Sequence, residues 1–438
     1  MLKRIVLRKG DRYYIDQFIV EADLDGDGNI NSTDCTLLKR YILRKIDKFP
    51  VEEQAPNEGI SDGFVEANSK FAFNIFKQIS KEEQGENVFI SPFGISTALS
   101  MVYQGAKSDT KEEMAKVLGY DELEISDVNN SYKYLLKYFN ELDQNVKVKN
   151  SNSIWNNSLM GNTIKDSFIS ANKDVFNASV ETRDFSDDNV VDEINDWISE
   201  ATEGKINGML NNVPQDILAY IISALYFDGT WTEEFDTEET FITSFKAEDG
   251  STQDIMMMSK TGKMEYGEGS GYKAVRLPYG KDGEMAMYCI LPDKGTAIDD
   301  FIQNLDVSMW NEIKNNIVER GNVVLNLPRF KMEYAMGNGG SIKESLKSLG
   351  MVKAFEEDAD FSGMSDIAAA LSDVLHKAVV EVNEKGTEAA EVVVVPVTPG
   401  VGKRPVFQAN RPFVFVIADE KYDTILFMGK LSNGNLAN

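Results

Sequence analysis

The chain has 438 residues with 45 Lys+Arg against 71 Asp+Glu, a formal charge of −26, one histidine and two cysteines. An acid surplus of this size disfavours nucleic acid and anionic lipid as partners, because the field of the protein repels both, while 42% hydrophobic content supplies material for a sizeable core. His376 alone cannot build a multi-histidine metal site, Cys35 and Cys289 lie too far apart for a zinc knuckle or a C-x-x-C pair, and no apolar run approaches the roughly 20 residues that span a bilayer.

The first segment carries an internal repeat. Met1-Leu-Lys-Arg-Ile-Val-Leu-Arg-Lys9 returns as Leu37-Leu-Lys-Arg-Tyr-Ile-Leu-Arg-Lys45, with identity at Leu2/Leu38, Lys3/Lys39, Arg4/Arg40, Leu7/Leu43, Arg8/Arg44 and Lys9/Lys45. Residues 1–10 are basic, without the apolar core or cleavage site of a signal peptide. If the protein is exported, the signal is expected outside this chain. Ahead of the second copy, Asp23-Leu-Asp25-Gly-Asp27-Gly28-Asn29-Ile-Asn31-Ser-Thr-Asp34 sets oxygen ligands at loop positions 1, 3, 5, 9 and 12. Gly28 falls at the sharp sixth-position turn and the Asn29 carbonyl at the seventh. Hard oxygens on a tight loop before a helix suit Ca²⁺, in an EF-hand-like α-helical segment. Asp34 at position 12, the Ser32-Thr33 pair, and Lys39, Arg40 and Arg44 on the following helix resemble the dockerin module of cellulosomal proteins. That resemblance covers residues 1–49. It implies Ca²⁺ as cofactor and a cohesin domain of a scaffold protein as partner, met by Ser32, Thr33, Lys39, Arg40 and Arg44. The first repeat begins inside its helix, so the module is expected to be partial, with one calcium loop. Residues 50–62, with two prolines and three glutamates, read as a linker.

From residue 63 to 438 the pattern predicts one larger domain. Phe64, Phe71, Ala72, Ile75, Phe76 and Ile79 recur at helical spacing behind Ser61 or Asp62 as N-cap. Asn87-Val-Phe-Ile-Ser-Pro92 predicts a short strand ending in Ser91 as N-cap, with Pro92 opening a helix to about Gly105. Its small residues Ser96, Thr97, Ala98 and Ser100 suit either a helix beneath something that must move or dense ordinary packing. Thr110-Lys-Glu-Glu113 predicts a capping box for a further helix that Gly119 closes. Apolar runs at 219–227, 274–277, 285–291, 323–327 and 378–382 predict strands, and 412–417 with 424–428 a hairpin. Helices gathered early and strands late indicate α+β with large, mainly antiparallel sheets.

Catalytic constellations are missing from this pattern: there is no G-x-S-x-G elbow and no phosphate loop. His376, among small and apolar residues before a strand, fits a hydrogen-bonded structural histidine better than a base. One stretch conflicts with its context. Residues 384–405 connect two strands, yet Val392-Val-Val-Val395 is strongly β-prone, a hazard in a permanently exposed loop. It is either another buried strand or a loop able to become one, and the small residues Gly386, Thr387, Ala389 and Ala390 ahead of it favour a hinge.

Five separated motifs, in order, resemble the serpin family: Asn87-Val-Phe-Ile-Ser-Pro-Phe-Gly-Ile-Ser-Thr-Ala-Leu-Ser100, Asn195-Asp-Trp-Ile-Ser-Glu-Ala-Thr-Glu-Gly-Lys-Ile206, Leu225-Tyr-Phe-Asp-Gly-Thr-Trp231, His376-Lys-Ala-Val-Val-Glu-Val-Asn-Glu-Lys-Gly-Thr-Glu-Ala-Ala390 and Arg411-Pro-Phe-Val-Phe415. The resemblance implies three β-sheets, about nine helices and an exposed, metastable reactive loop. The hinge is then Glu384, Gly386, Thr387, Glu388, Ala389 and Ala390. Ser91, Ser96 and His376 lie where the central sheet parts, and Trp231 near the point of first insertion. It implies no catalytic residues. The function expected is irreversible inhibition of a secreted, extracellular kind: a serine protease cleaves the loop and is trapped as the loop inserts. Inward-facing positions would be Thr387, Ala389, Glu391, Val393, Val395 and Val397, with Glu391 the one charged intruder. Counting about seventeen residues from Glu384 puts the bait bond at Gly400–Val401. Counting back from Phe413 allows Val401–Gly402 equally, and Lys403 or Arg404 would suit a trypsin-like enzyme but lengthen the arm. Small apolar residues there suit subtilisin-like or elastase-like enzymes. The alternative is a non-inhibitory serpin serving as carrier or structural cellulosome component.

Overall fold

The structure, a computed structural model, describes residues 59–161, 163–336, 340–387 and 404–434, and the chain divides between Gly59 and Ile60. The calcium-loop positions Asp23, Asp25, Asp27, Asn29, Asn31 and Asp34 and the cohesin-facing Ser32, Thr33, Lys39, Arg40 and Arg44 lie outside the described residues. So do Glu388, Ala389, Ala390, Glu391, Gly400 and Val401.

Helical spacing puts Phe64, Phe71, Ala72, Ile75, Phe76 and Ile79 on one face of α1 (Asp62–Glu82), where none is more than 1% exposed. A three-residue strand, β1 (Val88–Ile90), then leads into α2 (Pro92–Tyr103). Ser91 caps α2, its Oγ accepting the Gly94 N–H at 3.0 Å, with Pro92 in the first turn where its missing N–H costs nothing. The next helix corrects an expectation. α3 (Ser108–Leu118) begins two residues before Thr110, with Lys107 at its N-cap, so Thr110 and Glu113 form no capping box. Their side chains serve tertiary contacts instead: Thr110 Oγ1 accepts the Asp360 N–H at 2.9 Å, and Glu113 Oε2 accepts the N–H groups of Val352 and Lys353. Gly119 does end the helix, in the left-handed conformation at φ 77° that suits glycine.

Further along lie α4 (Ile125–Phe139), β2 (Val146–Asn157), α5 (Asp166–Phe176), β3 (Ser179–Arg183), α6 (Val190–Ala201) and β4 (Ala219–Thr230). Then come β5 (Phe241–Lys246), β6 (Thr252–Gly269), β7 (Tyr272–Tyr279), β8 (Met285–Pro292), α7 (Ile298–Asn304), α8 (Val307–Asn316), β9 (Val318–Pro328), β10 (Phe330–Ala335) and α9 (Lys343–Ser348). The described chain finishes with β11 (Lys377–Val382), β12 (Gly386–Thr387), β13 (Val406–Gln408), β14 (Phe413–Asp419) and β15 (Thr424–Leu431). Every apolar run expected as a strand falls in one, and β14 and β15 pair as the expected hairpin.

Three hydrogen-bonded sheets result among the described residues. The largest has nine strands in the order β1-β15-β14-β8-β7-β6-β9-β13, with β5 also on β6. Its length comes from β6, which pairs with β5 at its start, β9 along its middle and β7 at its end, with a register shift between Gly262 and Met264. The second sheet runs β12-β4-β2-β3, and β10 with β11 makes the third. The core centres on β14 and β15, buried along their whole lengths. Phe89 of β1 stacks there on Phe427 at 5.3 Å and Phe415 at 5.7 Å.

One polar group ties this core to α1. Lys430 of β15 is 0% exposed, and its ammonium donates to the Ser80 carbonyl at 3.2 Å, the Glu83 carbonyl at 3.0 Å and Asp299 Oδ1 at 2.6 Å. It closes the carbonyl end of α1 and neutralises a carboxylate together. Lys430→Met is expected to leave both uncompensated and to cost about 3–5 kcal/mol in urea unfolding at pH 7, with Asp299→Asn costing less.

Candidate functional site

The site is built where β4, β11 and β12 meet. β4 carries a ladder to β2 along its length, from Val146↔Gly229 to Asn156↔Ala219, and a two-residue ladder to β12, Gly386↔Thr230 and Thr387↔Gly229. β11 pairs with β10, and no described ladder joins β4 directly to β11. Between β11 and β12 the chain turns back on itself through Asn383-Glu-Lys-Gly386, with Asn383 bridged to Gly386 and Asn383 Oδ1 accepting the Lys385 N–H at 3.0 Å. Asparagine at the first and glycine at the fourth position is the composition such a turn favours. Gly386 sits at φ 129°, and a Cβ there would lie 2.3 Å from the Gly229 carbonyl oxygen. Only glycine fits. β12 therefore starts as a new strand antiparallel to β4, on the side of β4 that faces β11.

A short strap, residues 231–235, grips this turn. The Trp231 N–H donates to the Lys385 carbonyl at 2.9 Å, and its indole N–H to the Asn383 carbonyl at 3.0 Å. The Phe235 N–H donates to the Glu384 carbonyl at 2.7 Å. The indole is stacked on Tyr279 at 4.4 Å. The Glu384 side chain is buried, its Oε1 accepting from Thr240 Oγ1 at 2.8 Å, with Arg329 4.0 Å from Oε2. The structure thus places Trp231, Glu384 and Gly386 in one cluster. Sequence reasoning missed Asn383, Phe235, Thr240 and Tyr279; only Asn383 left a signal, its spacing to Gly386.

Beneath the sheet, α2 packs against β4 and β15. Its small polar residues are buried and bonded: Ser96 Oγ to the Phe93 carbonyl and Asn68 Oδ1, both at 3.0 Å, and Thr97 Oγ1 to the Phe93 carbonyl at 2.7 Å. Tyr132 donates to Ser96 Oγ at 3.1 Å, and Ser100 Oγ to Tyr132 at 3.1 Å. His376, just before β11, joins this layer: its Nε2 accepts the Ser91 N–H at 3.0 Å, while Ser91 Oγ donates to the Leu426 carbonyl. An accepting Nε2 means a neutral ring, and burial holds its pKa down to about 4. His376 thus acts as a structural acceptor linking α2 to β11. Above the sheet, Ile194 and Ile198 of α6 and Trp155 of β2 belong to a second apolar cluster, against which Tyr220 and Ile222 of β4 and Val379 of β11 pack.

Comparison with known proteins agrees with this geometry. The family model for Serpin (serine protease inhibitor) matches residues 66–434, and that for the dockerin type I domain residues 1–60. A serpin-like protein of Methanosarcina acetivorans is 32% identical over 404 residues, covering 87% of this chain and 90% of its own. Human serpin B8 is 33% identical over 381 residues, covering 85% and 100%. Among solved structures, the thermophilic serpin tengpin in its native state superposes with a TM-score of 0.77 at 29% identity, over 86% of this chain and 96% of its own. Human thyroxine-binding globulin, complexed with thyroxine, shares the fold with a TM-score of 0.75 at 24% identity, over 84% and 98%.

Because His376 is neutral when folded and titrates near its ordinary 6.5 when unfolded, the unfolded chain takes up the proton first as pH falls. Stability is therefore lost from about pH 6.5 down towards pH 4. His376→Gln removes this contribution while other titrating groups, Asp419 among them, cancel in the comparison. The stability advantage of the native protein over the variant is expected to shrink by on the order of 3 kcal/mol between pH 7 and pH 4, measured by denaturant unfolding at both.

Proposed function

Because the chain belongs to the serpin family, we propose that it is an irreversible suicide-substrate inhibitor of serine proteases of subtilisin-like or elastase-like preference, and not an enzyme. The observation that carries this is the seating of the hinge: Gly386 and Thr387 already pair with Thr230 and Gly229, antiparallel to β4 and next to the end of β11. A strand begun in this register lengthens by adding one residue at a time, each new backbone hydrogen bond contributing roughly 1 kcal/mol net.

The chemistry belongs to the protease. Its serine attacks the Gly400 carbonyl, the peptide bond to Val401 breaks with the new amine taking a proton, and the Gly400 acyl group stays esterified to the protease. Insertion of Thr387, Ala389, Glu391, Val393, Val395 and Val397 on the inward face then competes with hydrolysis of that ester. Glu391 slows the race, because its carboxylate must lose water as it enters.

Incubation with subtilisin is expected to give a complex that survives boiling in detergent, with a released fragment beginning at Val401 by mass spectrometry. Complete conversion to cleaved protein without complex would instead favour a carrier or structural role, as would cleavage that leaves the melting temperature unchanged. For the amino-terminal segment we propose an extracellular, cellulosome-attached location, with Asp23, Asp25, Asp27, Asn29, Asn31 and Asp34 binding Ca²⁺ and the basic helix facing a cohesin. The dockerin match supports this. Calorimetry is expected to report weak Ca²⁺ binding, roughly 10⁻⁴–10⁻³ M, lost in Asp23→Asn; no heat at millimolar Ca²⁺ overturns it.

A further inference from the structure

The strap at 231–235 is held from two sides. Toward β7, Thr232 donates its N–H to the Pro278 carbonyl at 2.9 Å and its hydroxyl to the Gly280 carbonyl at 2.5 Å. From β6, the Lys260 ammonium donates to the Glu233 carbonyl at 2.8 Å and stands 4.9 Å from the centre of the Phe235 ring. Phe235 is the residue whose N–H holds the Glu384 carbonyl in the turn.

We infer that Lys260 is a positioning residue for loop insertion: its ammonium fixes Glu233 and Phe235, and through them the 383–386 turn, in the register from which the loop zips onto β4. The inference rests on the inhibitory function proposed above. A turn held ready has already lost the backbone freedom that starting a hairpin costs, so insertion nucleates quickly enough to beat hydrolysis of the acyl-enzyme. A slack strap lets the turn wander, and more inhibitor is consumed as plain substrate.

The charges around Lys260 make this brace sensitive to pH. It lines a cavity of about 240 Å³ beside Trp231, together with Glu233, Lys263, Glu265, Arg276 and Glu319. Lys263 pairs with Glu319 at 2.5 Å and Arg276 with Glu265, so the two other cations have carboxylate partners. Lys260 bonds a backbone carbonyl. Burial lowers its pKa to about 8, opposed only in part by Glu233. Below that pH the charged grip on Glu233 and on the Phe235 ring is present; above it the amine is neutral and both contacts weaken.

The test is the partition ratio with subtilisin, inhibitor cleaved per complex formed, for the native protein, Lys260→Met and Lys260→Arg between pH 7 and pH 10. Dividing variant by native at each pH removes the protease's own pH dependence. Lys260→Met is expected to raise the ratio roughly tenfold at pH 7, equivalent to about 1.4 kcal/mol, and to converge with the native protein by pH 10. Lys260→Arg should match the native protein at pH 7 and outperform it at pH 10, since guanidinium keeps its charge. Lys260→Gln, also neutral, should follow Lys260→Met and serves if that variant folds poorly. A Lys260→Met effect that is absent at pH 7, or equal at both pH values, overturns the inference alone. If the native protein forms no complex at any pH, the inhibitory function falls and this role with it.

Discussion

A reversal of chain direction in four residues, 383–386, sets the terms for the sheet around it. β4 and β11 run the same way, so a strand antiparallel to both can satisfy two edges at once. It can start only where the chain comes back from β11 tightly enough to meet Thr230 and Gly229. Gly386 makes that possible, since no other residue could approach the Gly229 carbonyl so closely. Asn383 closes the turn, and the N–H groups of Trp231 and Phe235 leave its carbonyls no freedom to drift.

The layers above and below meet the region of β4 and β11 in different ways. Ile194 and Ile198 of α6 belong to an apolar cluster, shared with Trp155, Ile206 and Leu210, against which Tyr220 and Ile222 of β4 and Val379 of β11 pack. Beneath, α2 meets the sheet with serine and threonine side chains whose hydroxyls are satisfied within their own layer, at Phe93, Asn68 and Tyr132. Bonds that stay local need not break when strands above them shift. Of the two sequence expectations for α2, dense packing is the one the burial of Ser96, Thr97 and Ser100 matches. Ser91 is the exception: its N–H bonds His376, in the segment entering β11, and its hydroxyl bonds the Leu426 carbonyl of β15.

How much of this the sequence disclosed follows from which forces write locally. Apolar periodicity named α1, and apolar runs named β4, β7, β8, β9, β11, β14 and β15, because burial is imposed residue by residue; β2, β3, β5, β6 and β10, with more polar or mixed sequences, went unread. Ser91 and Pro92 announced the start of α2 through chemistry confined to one turn. Thr110 and Glu113 misled for the same reason: they have the capping-box spacing, but Asp360, Val352 and Lys353 compete for them from distant parts of the chain. The hinge composition was visible at Gly386, whereas the residues that hold it, Phe235, Thr240, Tyr279 and Lys260, follow no period and are brought there only by tertiary packing. Glu384 was legible as the beginning of the loop, not as a buried carboxylate bonded to Thr240.

Lys430 has a further implication for how the protein is made. The carbonyl it caps at Ser80 lies 350 residues upstream, and its own strand, β15, inserts between β14 and the edge strand β1 of the largest sheet. A ribosome adding about 5–20 residues per second would leave α1 without its cap, and β1 without its neighbour, for roughly 20–70 s. Until β15 emerges, the amino-terminal helices have no finished core to join. The nascent chain must therefore remain unfinished, and in need of protection from aggregation, until β15 has been made.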